Sequence, residues 1–497
     1  MHKYHIVLKI LWTNIHDILT LCARKQQQSL CYKGKTRLSN YWIKSVGVDV
    51  QKTIKSIKRI DLRLFLALLL TGLLPTIYTT VRIFFLGNLP NDWGINIASQ
   101  LMWVNLLYEI LQESLILPLY FIFGKAISNT EEFTNRLKGS MVVVFSIYVT
   151  LSALISLFAE PMVVAMAQNT ALLDATVSYI RLETIAYVFL TMWKFLMLIL
   201  LLIGRDRLIY IMLTVQMILT VLLDTLFISE FSFSLKLGVN GIAITNIIVN
   251  IVLLVVFFIL LKKEKNINIF QRRKLNFAWV KQWTTIAGYS GLETLVRNLA
   301  FMYMVVRMVN IINEPGTFWV TNSFIWGWLL LPVLQLGELI KSDCSKNERN
   351  ITRNFRGYVG VTTIIIAIWL VTIPSWEPFI KNVLNMSNYD VIFHLVMISL
   401  PFYILFAYNN IIDSIFYGIG KTEYMLFQSV FVNVTFYGTL FILFQKGIYV
   451  PTLELITLMF AAGIAVDSLL TFVMYWYLSK KGKIVHKYKL TVPTVTD

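Results

Sequence analysis

The stretch TNRLKG at 134–139 is matched by TRNFRG at 352–357, and each opens a long apolar segment of this 497-residue chain. Two further pairs keep the same order, and all three pairs lie 214 to 218 residues apart. They are LP at 117–118 with LP at 331–332, and IGRD at 203–206 with IGKT at 419–422. A membrane chain that repeats in this way is typical of a transporter whose site lies between two like halves.

The composition places the chain in a membrane. Hydrophobic residues make up 57% and charged residues 14% of the sequence, and the mean hydropathy is +0.68. A soluble domain carries roughly 25% charged residues. Apolar segments of about 20 residues, the length that crosses a bilayer as a helix, recur along the chain. We predict twelve spans, numbered 1 to 12, at 62–87, 99–123, 139–159, 179–203, 208–229, 239–261, 284–311, 318–340, 357–376, 389–414, 422–444 and 453–478.

The repeat and the spans together predict an all-α integral membrane fold. We expect two homologous six-helix lobes, related by a pseudo-twofold axis along the membrane normal. The predicted parts are a basic N-terminal extension at 1–61, an N-lobe at 62–261, a basic linker at 262–283, a C-lobe at 284–478 and a tail at 479–497.

Charge predicts the orientation. If the N-terminus is cytoplasmic, the inner segments hold about 35 Lys and Arg and the outer loops hold about three. Because cytoplasmic loops are enriched in Lys and Arg, we predict a multi-pass protein of the cell membrane with both termini inside. The net charge of +17 could also suggest a nucleic-acid partner. The charge follows the loops of one side, however, and the sequence lacks zinc-ligand spacing and an aromatic-basic platform, so no such partner is predicted.

The N-terminal extension allows two interpretations. Apolar residues at 6–19 could form one face of a helix that lies on the anionic inner leaflet. Alternatively, the segment is a disordered basic leader, since its first 60 residues hold 12 Lys and Arg.

Several motifs resemble a known transporter family. GVNGIAIT at 238–245 resembles the opening of the sixth helix in multidrug and toxic compound extrusion (MATE) transporters, and LLDTLFI at 222–228 resembles the end of their fifth helix. AGYSGLE at 287–293 is similar to the start of their seventh helix. The resemblance covers about 62–478. It implies two lobes that rock about a central cleft and export amphipathic, often cationic compounds in exchange for Na⁺ or H⁺.

Arg82 and Asp224 are the first candidate site residues. An ionisable group at bilayer depth is costly unless it is paired or hydrated, so each one is a candidate. Arg82 lies about 20 residues into span 1 and Asp224 about 16 residues into span 5, and at 1.5 Å per residue both reach a similar depth. We therefore predict that the two side chains are partners.

At this pair the chain departs from the family that it resembles. Many members have Asp at the position of Arg82 and Asn at the position of Thr220, which shares a helical face with Asp224. The guanidinium would then stand where a bound Na⁺ or a mobile proton acts. The alternatives are a purely structural ion pair and a Na⁺ held near Asp224. Asn246, directly after the span 6 motif, completes this candidate set.

A second set of charges lies in spans 7 and 2. Glu293 has Arg297 one helical turn later, either as a coupling or substrate-binding group or as a structural pair. A carboxylate in an apolar cleft can take up a proton near neutral pH or hold a cation. Glu109 and Glu113 lie at i, i+4 in span 2 and could share a proton, so Glu113 is also a candidate. Secondary candidates are Lys194 with Glu183, Asp413 at the cytoplasmic surface, and Asp467.

Two transport functions fit these features. The first is a secondary active antiporter that exports amphipathic or cationic compounds in exchange for H⁺ or Na⁺. The second is a flippase for lipid-linked oligosaccharides or lipids, which would need many basic residues in its cleft. The only His in a span is His394, and there is neither a metal-site nor a Walker A pattern, so an enzyme is not predicted. We expect a monomer without a cofactor other than the coupling ion, with a small-molecule substrate and membrane lipids as partners.

Overall fold

The computed structural model describes residues 50–89, 93–116, 118–124, 126, 129–202, 206–262, 276–346, 349–419 and 421–481. Within these ranges the ordered elements are helices, and no strand is present. The predicted features at 6–19, most of the linker and most of the tail lie outside the described residues.

Each of the six predicted spans of the first half coincides with helical structure. Span 2 consists of three consecutive segments, and the other five are single helices. The bounds are Leu62–Leu86 (span 1), Leu101–Leu111, Gln112–Ile116 and Leu119–Gly124 (span 2), Thr130–Leu157 (span 3), Leu173–Leu202 (span 4), Asp206–Phe227 (span 5) and Asn240–Lys262 (span 6). Short helices at Trp93–Ser99, Ala159–Ala165 and Thr170–Leu172 connect them.

The second half shows the same agreement. Spans 7, 8 and 11 are divided into consecutive segments, whereas spans 9, 10 and 12 are continuous. The bounds are Val280–Phe301, Met302–Val306 and Arg307–Ile311 (span 7), Pro315–Phe324, Ile325–Leu329 and Leu331–Lys346 (span 8), Arg349–Asn382 (span 9), Tyr389–Gly418 (span 10), Thr422–Val432, Asn433–Tyr437 and Gly438–Gln445 (span 11) and Leu453–Lys480 (span 12).

The helices have the length and polarity of membrane spans. Nine described helices are long and apolar enough to cross a membrane, and a tenth is reached if Pro315–Leu329 and Leu331–Cys344, bent by 52°, form one span. The predicted spans outside this set are 2 and 7, which are both divided and both carry several charges. The chain is therefore an all-helical, multi-pass membrane protein.

The Leu-Pro pairs of the repeat mark equivalent helix breaks. A five-residue π-helical segment lies just before each proline, at Gln112–Ile116 in span 2 and at Ile325–Leu329 in span 8. Proline lacks an N–H and its ring collides with the carbonyl four residues earlier, so the turn before it opens. Pro118 and Pro332 thus account for a break at the same place in each half.

One helix was not predicted as part of the fold. Val50–Ile57, within the predicted N-terminal extension, packs on the start of span 9. The Gly357 N–H donates to Ser56 Oγ at 2.9 Å. A Cβ at Gly357 would lie only 2.8 Å from that oxygen, so the approach requires glycine here. Gly357 is the last residue of the TRNFRG stretch of the repeat.

Candidate functional site

A cavity of ≈ 300 Å³ lies among spans 1, 2, 4, 5 and 6, and Trp319 of span 8 also lines it. It falls at the lower end of the roughly 300–1,000 Å³ range of small-molecule sites. Three tyrosines from spans 1 and 4 line it, together with four of the predicted or secondary site residues. These lining residues are Tyr78, Tyr179, Tyr187, Arg82, Glu183, Thr220 and Asn246.

The structure pairs Arg82 with Asp224. Arg82 Nε donates to Asp224 Oδ2 at 3.0 Å, and Arg82 Nη2 donates to Asp224 Oδ1 at 3.3 Å. The Asp224 carboxylate is completely buried, and the Arg82 side chain is 12% exposed. This two-point contact uses the planar fork that distinguishes arginine from lysine. Each Asp224 oxygen accepts one of these hydrogen bonds, so a Na⁺ at Asp224 would have to share the carboxylate with the guanidinium.

The pair extends to a second carboxylate. Arg82 Nη2 also donates to Asn246 Oδ1 at 3.1 Å, and Asn246 Nδ2 donates to Glu183 Oε1 at 2.8 Å. Spans 5, 1, 6 and 4 are thereby joined by one chain of side-chain hydrogen bonds. Glu183 is 2% exposed. With both carboxylates ionised, this group holds one positive and two negative charges.

Glu183 is the residue whose importance sequence reasoning missed. Its expected partner was Lys194, but Lys194 Nζ donates to Gln112 Oε1 of span 2 at 2.8 Å. A signal was present, because Tyr179, Glu183 and Tyr187 follow each other at intervals of four and share one face of span 4. All three line the cavity.

Several oxygen atoms in or near the cavity can accept further hydrogen bonds. Thr220 lines it one turn before Asp224, as its spacing predicts, and is 3% exposed. Within the described residues, Asn250 Oδ1 and Thr245 Oγ1 are buried without a hydrogen-bond partner. Asn250 Nδ2 donates to the Asn246 carbonyl at 2.7 Å. Buried polar groups usually have partners, so these oxygens mark places for a water or a bound group.

The second set of charges joins the two halves of the chain. Arg297 Nη1 donates to Glu293 Oε1 at 3.0 Å, and Arg297 Nη2 donates to Glu109 Oε1 of span 2 at 3.0 Å. Asn298 Nδ2 donates to the second oxygen of Glu109 at 3.2 Å. Glu113 lies within electrostatic reach of Arg297. Glu109 is therefore held by span 7, an arrangement that its i, i+4 spacing with Glu113 did not predict.

A buried cluster of amide side chains also joins the start of span 2 to the end of span 7. Gln100 Nε2 donates to Asn310 Oδ1 at 2.8 Å, and Asn310 Nδ2 returns a bond to Gln100 Oε1 at 3.1 Å. Asn310 Nδ2 also donates to the Met166 carbonyl at 2.8 Å. Spans 2 and 7 are thus linked by hydrogen bonds at two places, one at the charged residues and one at these amides.

Asp413 was expected at the cytoplasmic surface, but its carboxylate is hydrogen-bonded between two helices. It accepts a hydrogen bond from Asn409 Nδ2 at 2.7 Å and one from Thr471 Oγ1 of span 12 at 3.4 Å. Asp467 lies close enough to interact with it electrostatically. The side chain therefore faces the interior between spans 10 and 12. Within the described residues, no group of three or more His, Cys, Asp or Glu could hold a metal ion.

Comparison by sequence finds no relative. Neither a protein-family model nor a curated protein matches the chain.

Comparison by structure finds transporters. An inward-facing multidrug resistance MATE family transporter of the MOP superfamily has a TM-score of 0.66 at 16% identity, covering 84% of this chain and 98% of the other. A mutant of the MATE transporter VcmN of Vibrio cholerae has a TM-score of 0.63 at 16% identity, with 87% and 99% covered. A MOP superfamily transporter of Pyrococcus furiosus, whose binding pocket has reverse polarity, has a TM-score of 0.63 at 16% identity, with 87% and 96% covered.

These similarities extend over 96% to 99% of each of the three solved structures. They agree with the resemblance seen at 238–245, 222–228 and 287–293. The chain therefore has the fold of the MATE transporters of the MOP superfamily.

Proposed function

We propose that this chain is a secondary active efflux transporter of the cell membrane. It acts as a monomeric antiporter that exports amphipathic or cationic compounds in exchange for H⁺ or Na⁺, by alternating access of two lobes, with both termini in the cytoplasm. The observation that supports this proposal most is the excess carboxylate that lines the cavity. Arg82 balances Asp224, and among the described residues the network that holds Glu183 contains no second cation.

The charge balance makes Glu183 the coupling group. A buried carboxylate without a cation of its own is costly, so protonation or an adjacent cation stabilises Glu183. A cationic compound and a coupling ion then compete for one negative charge. This competition is what an antiporter requires, because the two species must use the cavity in turn.

The neighbours of Glu183 favour a proton as the coupling ion. Asn246 presents an N–H to the carboxylate, whereas Na⁺ requires oxygen ligands. Tyr179, Thr220 and the Oδ1 atom of Asn250 are among the oxygens that a Na⁺ site would recruit, and the amide of Asn246 would have to turn. A proton needs no such rearrangement, since it binds one carboxylate oxygen directly.

The charged residues between the two halves link the cavity around Glu183 to the rocking motion of the lobes. Arg297 belongs to span 7 and contacts Glu293 of its own span and Glu109 of span 2. A rocking motion of the lobes would break the bond to Glu109, and Arg297 would keep Glu293 as its partner. The guanidinium thus stays paired in both arrangements, which lowers the cost of the transition.

The alternative is a flippase for lipid-linked oligosaccharides or lipids. The reverse-polarity pocket of the Pyrococcus furiosus structure and the basic residue at position 82 favour it. A pyrophosphate headgroup would need basic side chains that are free to bind it. Arg82 and Arg297 are each held by carboxylates, so the antiporter is the better fit.

Efflux measurements test the proposal. Cells that express the chain are loaded with ethidium, and efflux is followed with the proton gradient and then the sodium gradient collapsed. We expect gradient-dependent efflux that Glu183→Gln and Asp224→Asn abolish, with Glu293→Gln showing whether the second half also couples. Glu160→Gln, a change at an exposed residue of a short connecting helix, is the matched control.

Two outcomes would contradict the proposal or a part of it. Wild-type efflux equal to that of empty-vector cells, with the protein present in the membrane, would contradict drug export and favour the flippase. Full gradient-dependent efflux by Glu183→Gln would retain the antiporter and remove Glu183 from its mechanism.

A further inference from the structure

A second, apolar groove lies on the side of the helix bundle. It measures ≈ 540 Å³ and runs between span 1 of the first half and spans 8 and 9 of the second. Span 1 contributes Phe65 and Leu69, span 8 contributes Trp328, and span 9 contributes Ile368 and Trp369. Ile368 is 55% exposed, so this wall faces the surroundings of the bundle, which at this level are lipid chains.

The polar atoms of the groove are already satisfied. Thr372 Oγ1 donates to the Ile368 carbonyl at 2.8 Å and accepts from Trp376 Nε1 at 3.1 Å. Ser375 Oγ donates to the Thr372 carbonyl at 2.6 Å. The hydroxyls therefore point to their own helix, and the groove presents hydrocarbon and aromatic surface. Such a lining accepts an apolar chain and offers a polar solute no partner.

A basic ledge lies at one end of the groove. The docked helix Val50–Ile57 brings the exposed cations before span 1 next to those at the start of span 9, because Ser56 contacts Gly357. We define the basic ledge as Lys55, Lys58, Arg59, Arg63, Arg353 and Arg356, all exposed.

The ledge and the groove lie near each other along two helices. Arg63 precedes the groove residue Phe65 by two positions, and Arg356 precedes the groove residue Val361 by five positions. Five residues of helix rise about 7.5 Å. Arg63 and Arg356 are therefore within about 7.5 Å of these groove residues, measured along the helix axes.

We propose that the groove and the basic ledge form a binding site for an anionic phospholipid. The phosphate group binds the ledge, and one acyl chain occupies the groove. Charge complementarity selects the lipid, since basic residues at a membrane surface attract anionic headgroups. The bound lipid contacts both halves of the chain at once. This site is separate from the cavity around Glu183, and the proposal stands whether or not the chain exports cations.

Native mass spectrometry of the full-length protein tests the site. The delipidated protein is titrated with phosphatidylglycerol and, separately, with phosphatidylcholine of the same acyl chains, and the bound lipids are counted. We expect preferential retention of phosphatidylglycerol. Arg63→Gln with Arg356→Gln should weaken this retention by roughly tenfold or more, as expected for two cations that contact an anionic headgroup. Ile368→Trp, which fills the groove, should reduce the retention of both lipids.

Two controls distinguish binding at this site from non-specific electrostatic attraction between the lipid and the basic protein. Lys281→Gln with Lys421→Gln removes the same charge from spans 7 and 11, which do not line the groove, and should leave retention unchanged. Glycerol phosphate, which lacks the acyl chain, should not bind measurably. Equal retention of the two lipids by the wild type, or an equal loss in both double variants, would overturn the proposal.

Discussion

Removing the cation of the buried pair should be far more costly than removing an exposed one. Arg82→Met keeps the volume of the side chain but leaves Asp224, which has no exposed surface, without its guanidinium. Loss of one partner from a buried pair costs about 3–5 kcal/mol, because the remaining charge is uncompensated. The matched change is Lys341→Met, which breaks the Lys341–Glu338 pair, whose side chains are 37% and 52% exposed. Exposed pairs contribute about 0–1 kcal/mol, so this variant should be close to wild type.

The measurement is a comparison of unfolding free energies in one detergent. Wild type, Arg82→Met, Asp224→Asn and the double variant form a double-mutant cycle. We expect the double variant to be clearly less damaged than the sum of the single changes, since neither charge then remains buried alone. Additive effects, or a cost for Arg82→Met equal to that of Lys341→Met, would refute the assignment of a buried, mutually stabilising pair.

Three further outcomes are expected. Glu183→Gln should leave only transport that needs no ion gradient, and its rate should not change with external pH, because the group that exchanges the proton is gone; substrate uptake into proteoliposomes across a pH series measures this. Asn310→Leu should lower stability by about 1–3 kcal/mol, since Gln100 loses its reciprocal partner in a buried cluster; thermal unfolding in detergent measures this, and an unchanged melting temperature would contradict it. Gly357→Leu should displace the helix Val50–Ile57 and speed trypsin cleavage within it, whereas Gly438→Ala, where the nearest atom lies 3.7 Å from a Cβ, should not.

The large features of the fold follow from the sequence because they rest on composition and repetition. Apolar length predicts each span, and the matched stretches predict that the halves are alike. The Leu-Pro pairs indicate kinks, but the π-helical form of the breaks at Gln112–Ile116 and Ile325–Leu329 depends on how neighbouring helices hold the opened turn. Such a tertiary effect is not encoded in local periodicity.

Contacts in the candidate site could be predicted from the sequence only where two residues meet because they lie at the same depth in the membrane. Arg82 and Asp224 lie at one level of the membrane, and the structure joins them. The link from Asn246 to Glu183 also depends on the rotation of each helix about its axis, which hydrophobicity fixes poorly in a span that is apolar on all sides. Likewise, the contact of Glu109 with Arg297 depends on how spans 2 and 7 pack across the halves.

The paired helix breaks also change which face spans 2 and 8 present beyond each break. A π segment holds one more residue than an α-helix of the same rise, so it rotates everything that follows by about 100°. The same extra residue is present at 112–116 and at 325–329, just before a Leu-Pro pair in each case. Because the extra residue lies just before a Leu-Pro pair in both spans, the parts of spans 2 and 8 that follow their breaks are turned in the same sense.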